Sequence, residues 1–183
     1  MKGAEAVISL SSLLGKKIVI KNRNPKIYRA KELDLNLRKT RTRAEARLLH
    51  KAKLAGVLCP TVLCVEDFSL WLSFINGNRP KMNVTIAKKA GGILTKLHNA
   101  DIIHGDFTVA NLLLNKSGLY VIDFGLGFFS NDIEDKAVDV LTMLKSSDSE
   151  KLKRAFLSGY RNYKKFDEVM KRIKIVESRV RYF

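Results

Sequence analysis

The chain has 183 residues, 46% of them hydrophobic, with 34 Lys/Arg against 18 Asp/Glu and a net charge of +16. That length suits one compact domain or two small lobes sharing a core, and the hydrophobic content excludes a disordered chain. No run reaches the roughly 18 apolar residues of a membrane helix, and Cys59 and Cys64 lack metal-ligand spacing, so a reduced, cytoplasmic setting without membrane attachment is expected.

The residues through Leu14 are mildly apolar but are interrupted by Glu5 and three serines, which reads as an early strand and not as a signal peptide. Ile18–Val19–Ile20 is a β-branched run ending at Lys21, and Asn22–Arg23–Asn24–Pro25 breaks it. Thr42 and Glu45 have capping-box spacing, with Leu48, Leu49 and Ala52 continuing an apolar face. That helix is expected to stop near Gly56, before Pro60. Val62–Val65 and Phe68–Phe74 read as a hairpin around Glu66–Asp67. The turn-rich stretch Ile75–Asn76–Gly77–Asn78–Arg79–Pro80 is the best boundary, giving a small lobe over 1–75 and a larger one over 76–183.

Asn83 can cap a helix whose apolar positions Ile86, Ala87, Ala90, Ile93, Leu94 and Leu97 share one face. Leu112–Leu114 and Leu119–Ile122 form a second hairpin across Asn115–Gly118. From Lys136 the pattern is helical, with Val138, Leu141 and Leu144 on one side. The fold class expected is α+β: a minimal bilobal, protein-kinase-like fold with a β-rich first lobe and a mainly helical second one.

Charge is unevenly placed. Residues 16–53 hold 14 Lys/Arg and 3 Asp/Glu, and residues 151–183 hold 11 and 3. Basic ends around a slightly acidic middle point to polyanion contact away from the catalytic centre, or to solvated helix faces.

The chemistry is carried by His104–Gly105–Asp106, then Asn111, then Asp123–Phe124–Gly125. An Asp and an Asn five residues apart, followed by a hairpin that delivers a second carboxylate, is the spacing of a kinase catalytic loop and metal-binding strand. Asp106 would sit beside the attacking hydroxyl or water, while Asn111 and Asp123 offer hard oxygens to Mg²⁺ or Mn²⁺. Lys21 ends its strand as the phosphate-gripping lysine of a kinase does, with Lys26 in the following loop as the alternative. Glu45 is its candidate ion-pair partner, unless it serves the capping box. His104 is expected to support the loop and not to react. No G-x-G-x-x-G precedes Lys21, only Gly3–Ala4–Glu5–Ala6, so the phosphate-covering loop should be reduced. Gly105 stands where most protein kinases carry an Arg that reads an activation-segment phosphate, so such control should be absent. The short segment after Gly125 leaves little material for a peptide-substrate platform.

Several further stretches join these residues: Ile20–Lys21, Pro25–Lys26, Tyr28–Arg29, Glu32–Leu33–Asp34, Arg41–Thr42, Glu45–Ala46–Arg47, Ile122–Asp123–Phe124–Gly125–Leu126, Glu134–Asp135–Lys136 and Val138–Asp139. With them, and nearly end to end, the chain resembles the Bud32 family, also called the p53-related protein kinase (PRPK) family. Its compact length is similar to that of archaeal members. The resemblance implies an ATP-dependent atypical Ser/Thr kinase or ATPase in the KEOPS (EKC) complex. That complex makes N6-threonylcarbamoyladenosine at position 37 of tRNA, and the resemblance implies as partners a Kae1-type ATPase, Cgi121-like and Pcc1-like subunits, and tRNA. It implies that Lys21 grips phosphates and Glu45 orients it. Leu72, Ser73, Phe74 and Ile75 would contact adenine at the hinge, and Asp139 would hold the catalytic-loop backbone. The basic C-terminal region, with Lys171, Arg172, Arg179 and Arg181, would reach tRNA, although the R-G-R-type ending common in the family is not intact. A signalling kinase and a non-catalytic scaffold for tRNA and Kae1 are the competing functions.

Overall fold

The computed structural model describes residues 6–147 and 149–180. Gly3, Ala4, Glu5 and Arg181 lie outside the described residues. The chain opens with a hairpin, β1 (Val7–Leu13) and β2 (Lys16–Asn22). Helix α1 (Lys31–Leu54) follows, then β3 (Val62–Val65) and β4 (Ser69–Ser73). The strands form one antiparallel sheet in the order β1-β2-β4-β3. Register pairs Ile8 with Lys21, Lys21 with Leu70, and Val19 with Leu72. Because directly paired residues share a face, Ile8, Val19, Leu70 and Leu72 lie on the same side of the sheet as Lys21.

Helix α1 corrects one expectation. Thr42 does not cap it: the helix begins at Lys31, and Thr42 lies in its interior with its hydroxyl donating to the Arg38 carbonyl at 2.9 Å. The first turns carry little apolar signal, since Leu33 and Leu35 are exposed and the contacts there are ionic.

The remaining chain is mostly helical. Asn83 caps α2 (Val84–Asn99), its side-chain oxygen accepting from the Ile86 N–H at 2.9 Å. Strand β5 (Ile102–Ile103) leads into the loop that carries His104, Asp106 and Asn111, and the β6 (Leu112–Asn115)–β7 (Gly118–Val121) hairpin follows. Strand β8 (Phe128–Phe129) pairs back with β5. Three helices close the fold, α3 (Ile133–Lys145), α4 (Glu150–Tyr160) and α5 (Phe166–Val180). On α3, Leu141 is buried and Leu144 packs against the core, but Val138 is exposed, contrary to the expected apolar side. The buried side instead includes Ala137, Val140 and two charged residues, Lys136 and Asp139. Lys136 neutralises its own burial with Asp101 at 3.0 Å.

Helices α2 and α4 cross with their backbones in contact. A Cβ on Gly91 would stand 2.0 Å from the Phe156 carbonyl oxygen, and one on Gly159 would stand 1.9 Å from that of Lys88. Only glycine permits this approach. One apolar core runs from Leu48, Leu49 and Ala52 on α1 through Leu94, Phe107, Val121 and Phe124 to Phe156 and Val169. Cys59 belongs to it, and burial pushes its thiol pKa up to about 11, so it packs and does not react. Among the described residues no helix is long and apolar enough to cross a membrane.

Candidate active site

The end of β2, the middle of α1 and the segment after β7 converge on one ionic cluster. Lys21 Nζ donates to Glu45 Oε1 at 2.7 Å and to Asp123 Oδ1 at 2.6 Å. Lys21 and Glu45 are buried, whereas the Asp123 side chain is 49% exposed and faces outward from the cluster. Lys26, the other lysine considered, is not part of it; its backbone N–H donates to Asp34. The second oxygen of Glu45 takes Arg23 Nη2 at 2.7 Å. Nothing in the sequence marked Arg23, since it is one cation in a stretch crowded with them.

Asp123 has φ of 62°, and its Oδ1 also accepts from the Gly125 N–H at 3.2 Å. Burial alone would raise its pKa. The Lys21 ammonium and the Gly125 N–H outweigh that and hold the carboxyl below its ordinary value. Asp123 is therefore an anion ready to meet a cation.

Asp106 and Asn111 meet within the loop that follows β5. Asn111 Nδ2 donates both to the Asp106 carbonyl at 2.8 Å and to Asp106 Oδ2 at 2.9 Å. With the NH₂ group so engaged, the amide oxygen is left to accept a metal. Asp106 Oδ1, Asn111 Oδ1 and Asp123 Oδ2 have no protein partner among the described residues. The Ile122 N–H donates to the Asn111 carbonyl at 3.0 Å, which ties the segment carrying Asp123 to this loop, and hard oxygens of this kind suit Mg²⁺, which needs one or two protein oxygens beside waters and phosphate.

His104 is fully buried and locked. Its Nε2 lies 3.2 Å from the Ile122 carbonyl, which can only accept, so Nε2 carries the hydrogen. Its Nδ1 then accepts from the Asp106 N–H at 3.3 Å. Burial pushes its pKa below the usual histidine value, keeping the ring neutral with both nitrogens occupied. Asp139 holds the same loop from behind: Oδ2 accepts the His104 N–H at 2.7 Å and Oδ1 the Gly105 N–H at 3.0 Å. His98 adds a third contact to Asp139 at 3.3 Å and meets the Tyr160 hydroxyl at 2.7 Å through its other nitrogen.

Gly105 has φ of +78°, and a Cβ there would stand 2.3 Å from the Leu126 carbonyl oxygen. A side chain at this position is excluded by backbone, so the arginine of phosphate-regulated kinases cannot stand here. Leu72 lies on the Lys21 face at the end of the sheet, followed by Ser73, Phe74 and Ile75. The Ser73 N–H bonds Thr61 at 2.9 Å, while no backbone partner takes the Ile75 N–H among the described residues.

Of the C-terminal cations, Lys171 is exposed on α5 and Arg172 pairs with Glu134 at 3.3 Å. Arg179 belongs to the last turns of α5.

A model of the RIO domain matches residues 16–167. A probable serine/threonine-protein kinase BUD32 homolog of Archaeoglobus fulgidus is 42% identical, the match covering 90% of this chain and 88% of that protein. A probable bifunctional tRNA threonylcarbamoyladenosine biosynthesis protein of Methanosarcina acetivorans is 41% identical over 98% of this chain, which spans only 35% of that longer protein. Among solved structures, the Rio2 kinase-ADP/Mg²⁺-phosphoaspartate complex from Chaetomium thermophilum superposes with a TM-score of 0.68 at 15% identity, over 100% of this chain and 69% of that one. The backbone is thus that of the protein-kinase-like fold. With the domain match spanning most of the chain, and a relative of similar length at high identity, this chain belongs to the RIO-domain family, in its Bud32 kinase branch.

Proposed function

We propose that this chain binds Mg·ATP between the β1–β4 sheet and the catalytic loop and cleaves or transfers the γ-phosphate. It does so as the atypical Ser/Thr kinase or ATPase subunit of a cytoplasmic assembly that makes threonylcarbamoyladenosine in tRNA. The observation that most supports this is the Lys21–Glu45 ion pair at 2.7 Å, which a kinase site requires, with the Asp123 carboxylate 2.6 Å from the same ammonium. The names of the bifunctional relatives supply the tRNA substrate, and the chain corresponds to about a third of their length.

In this reading residues 1–75 form the nucleotide-covering lobe and residues 76–183 the catalytic one. Backbone groups of Leu72, Ser73, Phe74 and Ile75 meet adenine. Lys21 meets the phosphates, Glu45 orients Lys21, and Asp106 accepts the proton of the attacking hydroxyl or water. Asn111 and Asp123 would hold Mg²⁺ or Mn²⁺, which would supply charge neutralisation on the phosphates. His104 and Asp139 keep the loop rigid. The partners are a Kae1-type ATPase with Cgi121-like and Pcc1-like subunits.

The tRNA-binding role is assigned to Lys171, Arg172, Arg179 and Arg181. Each phosphate neutralised releases counterions, so the log–log salt slope of binding should shrink by roughly 0.7 to 0.9 for every phosphate that a variant no longer neutralises. Arg172 is already paired with Glu134 and should contribute least. Replacing all four with Ala in the assembly with Kae1 is expected to weaken tRNA binding and flatten its salt dependence while ATP affinity stays unchanged. An unchanged slope would remove this region from the tRNA path and leave residues 16–53 as the candidate.

A further inference from the structure

The Glu45 carboxylate is shared between two cations. Oε1 takes Lys21 and Oε2 takes Arg23, both at 2.7 Å, and all three residues are buried. Kinase chemistry accounts for the Lys21 half and leaves Arg23 unexplained. We propose that Arg23 is a positioning residue: it holds Glu45, and with it α1, in the catalytic position while Lys21 changes partner from Asp123 to the nucleotide. This inference rests on the nucleotide-site reading above.

Charge balance is the first argument. Lys21, Glu45 and Asp123 together carry one net negative charge at a site meant for an anionic triphosphate. Arg23 brings the cluster to neutrality. Its guanidinium is a permanent cation, so the charge it brings is not lost to deprotonation.

The exchange of partners is the second argument. Lys21 Nζ already donates to two carboxylates, and a bound phosphate would compete for that ammonium with Asp123, the more exposed of the two. During that exchange the bond from Arg23 to Oε2 is the fixed contact that keeps Glu45 oriented. Arg23 can serve because its own backbone is tethered at both ends. Its N–H donates to the Phe68 carbonyl at 2.8 Å, and its carbonyl accepts from Arg38 Nη1 at 3.2 Å.

The third argument is where that tether leads. Arg38 belongs to α1, pairs with Asp34 one turn earlier at 2.7 Å, and lays its guanidinium 4.0 Å from the Phe68 ring centroid. Asp34, Arg38, Thr42 and Glu45 follow one another at helical spacing along α1. The residue that follows β2 therefore grips α1 at points about two turns apart, through the Arg23 side chain at Glu45 and the Arg23 carbonyl at Arg38. In regulated kinases the placement of this helix is set by a phosphorylated segment. Here Gly105 excludes the arginine that would read such a phosphate. Arg23 supplies a permanent placement instead.

The test uses the full chain in its assembly, with Arg23→Met, Arg23→Lys, Glu45→Gln and the double variant Arg23→Met/Glu45→Gln. Each is assayed for ATP turnover and thermal stability. One charge-assisted hydrogen bond corresponds to a loss of about tenfold to a hundredfold in rate. Arg23→Met should lose that much in kcat with a smaller change in KM for ATP, because Lys21 remains to grip the phosphates. Arg23→Lys, which restores a cation beside Glu45, should recover most of the rate. The double variant should be no slower than Glu45→Gln alone, since Arg23 acts through Glu45. Wild-type turnover by Arg23→Met, or additive losses in the double variant, would overturn the proposal. If Arg23→Met fails to fold, an Arg23→Lys rate as low as that of Glu45→Gln would overturn it equally. Asp123→Ala, run alongside, separates the two levels: if it retains turnover the nucleotide-site reading fails, and if it is inactive beside a fully active Arg23→Met only the Arg23 assignment does.

Discussion

Replacing Asp123 with Ala should abolish ATP turnover and leave the chain folded. The side chain is 49% exposed, and Lys21, its one side-chain partner among the described residues, keeps Glu45 when Asp123 is gone, so little of the packing depends on it. The chemistry depends on it far more. A metal positioned on the transferring phosphoryl group contributes several kcal/mol of charge stabilisation in the transition state. Loss of its carboxylate ligand therefore predicts a rate reduction of about a thousandfold or more. Asp106→Ala should also inactivate, by about a hundredfold to ten-thousandfold for the missing proton transfer. Phosphate release by the assembled complex, measured beside the thermal melting of each variant, checks both statements. Turnover near wild type in both variants would remove the active-site assignment.

Asp139→Ala should damage stability and activity together. Its carboxylate is buried and accepts the His104 and Gly105 N–H groups and the His98 ring N–H. Removing it orphans two buried donors and the part-buried Gly105 N–H, and each buried one costs about 1–3 kcal/mol when left without a partner. Allowing for partial relaxation, a loss of about 3–5 kcal/mol is expected, within the range for breaking a buried charged interaction. For a domain of this size that lowers the melting temperature by roughly 10 °C. Because the two backbone N–H groups belong to the catalytic loop, Asp106 should also lose its position, and turnover should fall even at temperatures where the variant is folded. A melting curve that overlays wild type would contradict this network.

The contrast between these residues explains what the sequence could reveal. Asp106 and Asn111 could be paired from the sequence because a short loop fixes their separation, and Asp123 stood out as the carboxylate that follows a tight hairpin. Lys21 was legible because a β-branched run ended on it. Arg23 was not, since residues 16–53 hold 14 Lys/Arg and no local pattern says which cation is buried. The same crowding hid the first turns of α1, where Asp34, Arg29 and Arg38 make ionic contacts in place of an apolar stripe. Thr42 imitated a cap because its spacing to Glu45 is that of a capping box, while both side chains were engaged elsewhere. On α3, helical periodicity located the buried side only approximately. Val138 faces solvent, and Lys136 and Asp139 are buried because Asp101 and the catalytic loop satisfy them.

The central claim is that Lys21, Asn111 and Asp123 form one site for a metal-bound nucleotide. Calorimetric titration of ATP into the chain, with and without Mg²⁺, tests it most directly because it does not depend on turnover. Mg²⁺ should tighten ATP binding by wild type, and Asp123→Ala should lose most of that gain while its Mg²⁺-free affinity changes little. Binding that ignores Mg²⁺ in wild type, or a gain that survives intact in Asp123→Ala, would contradict the account.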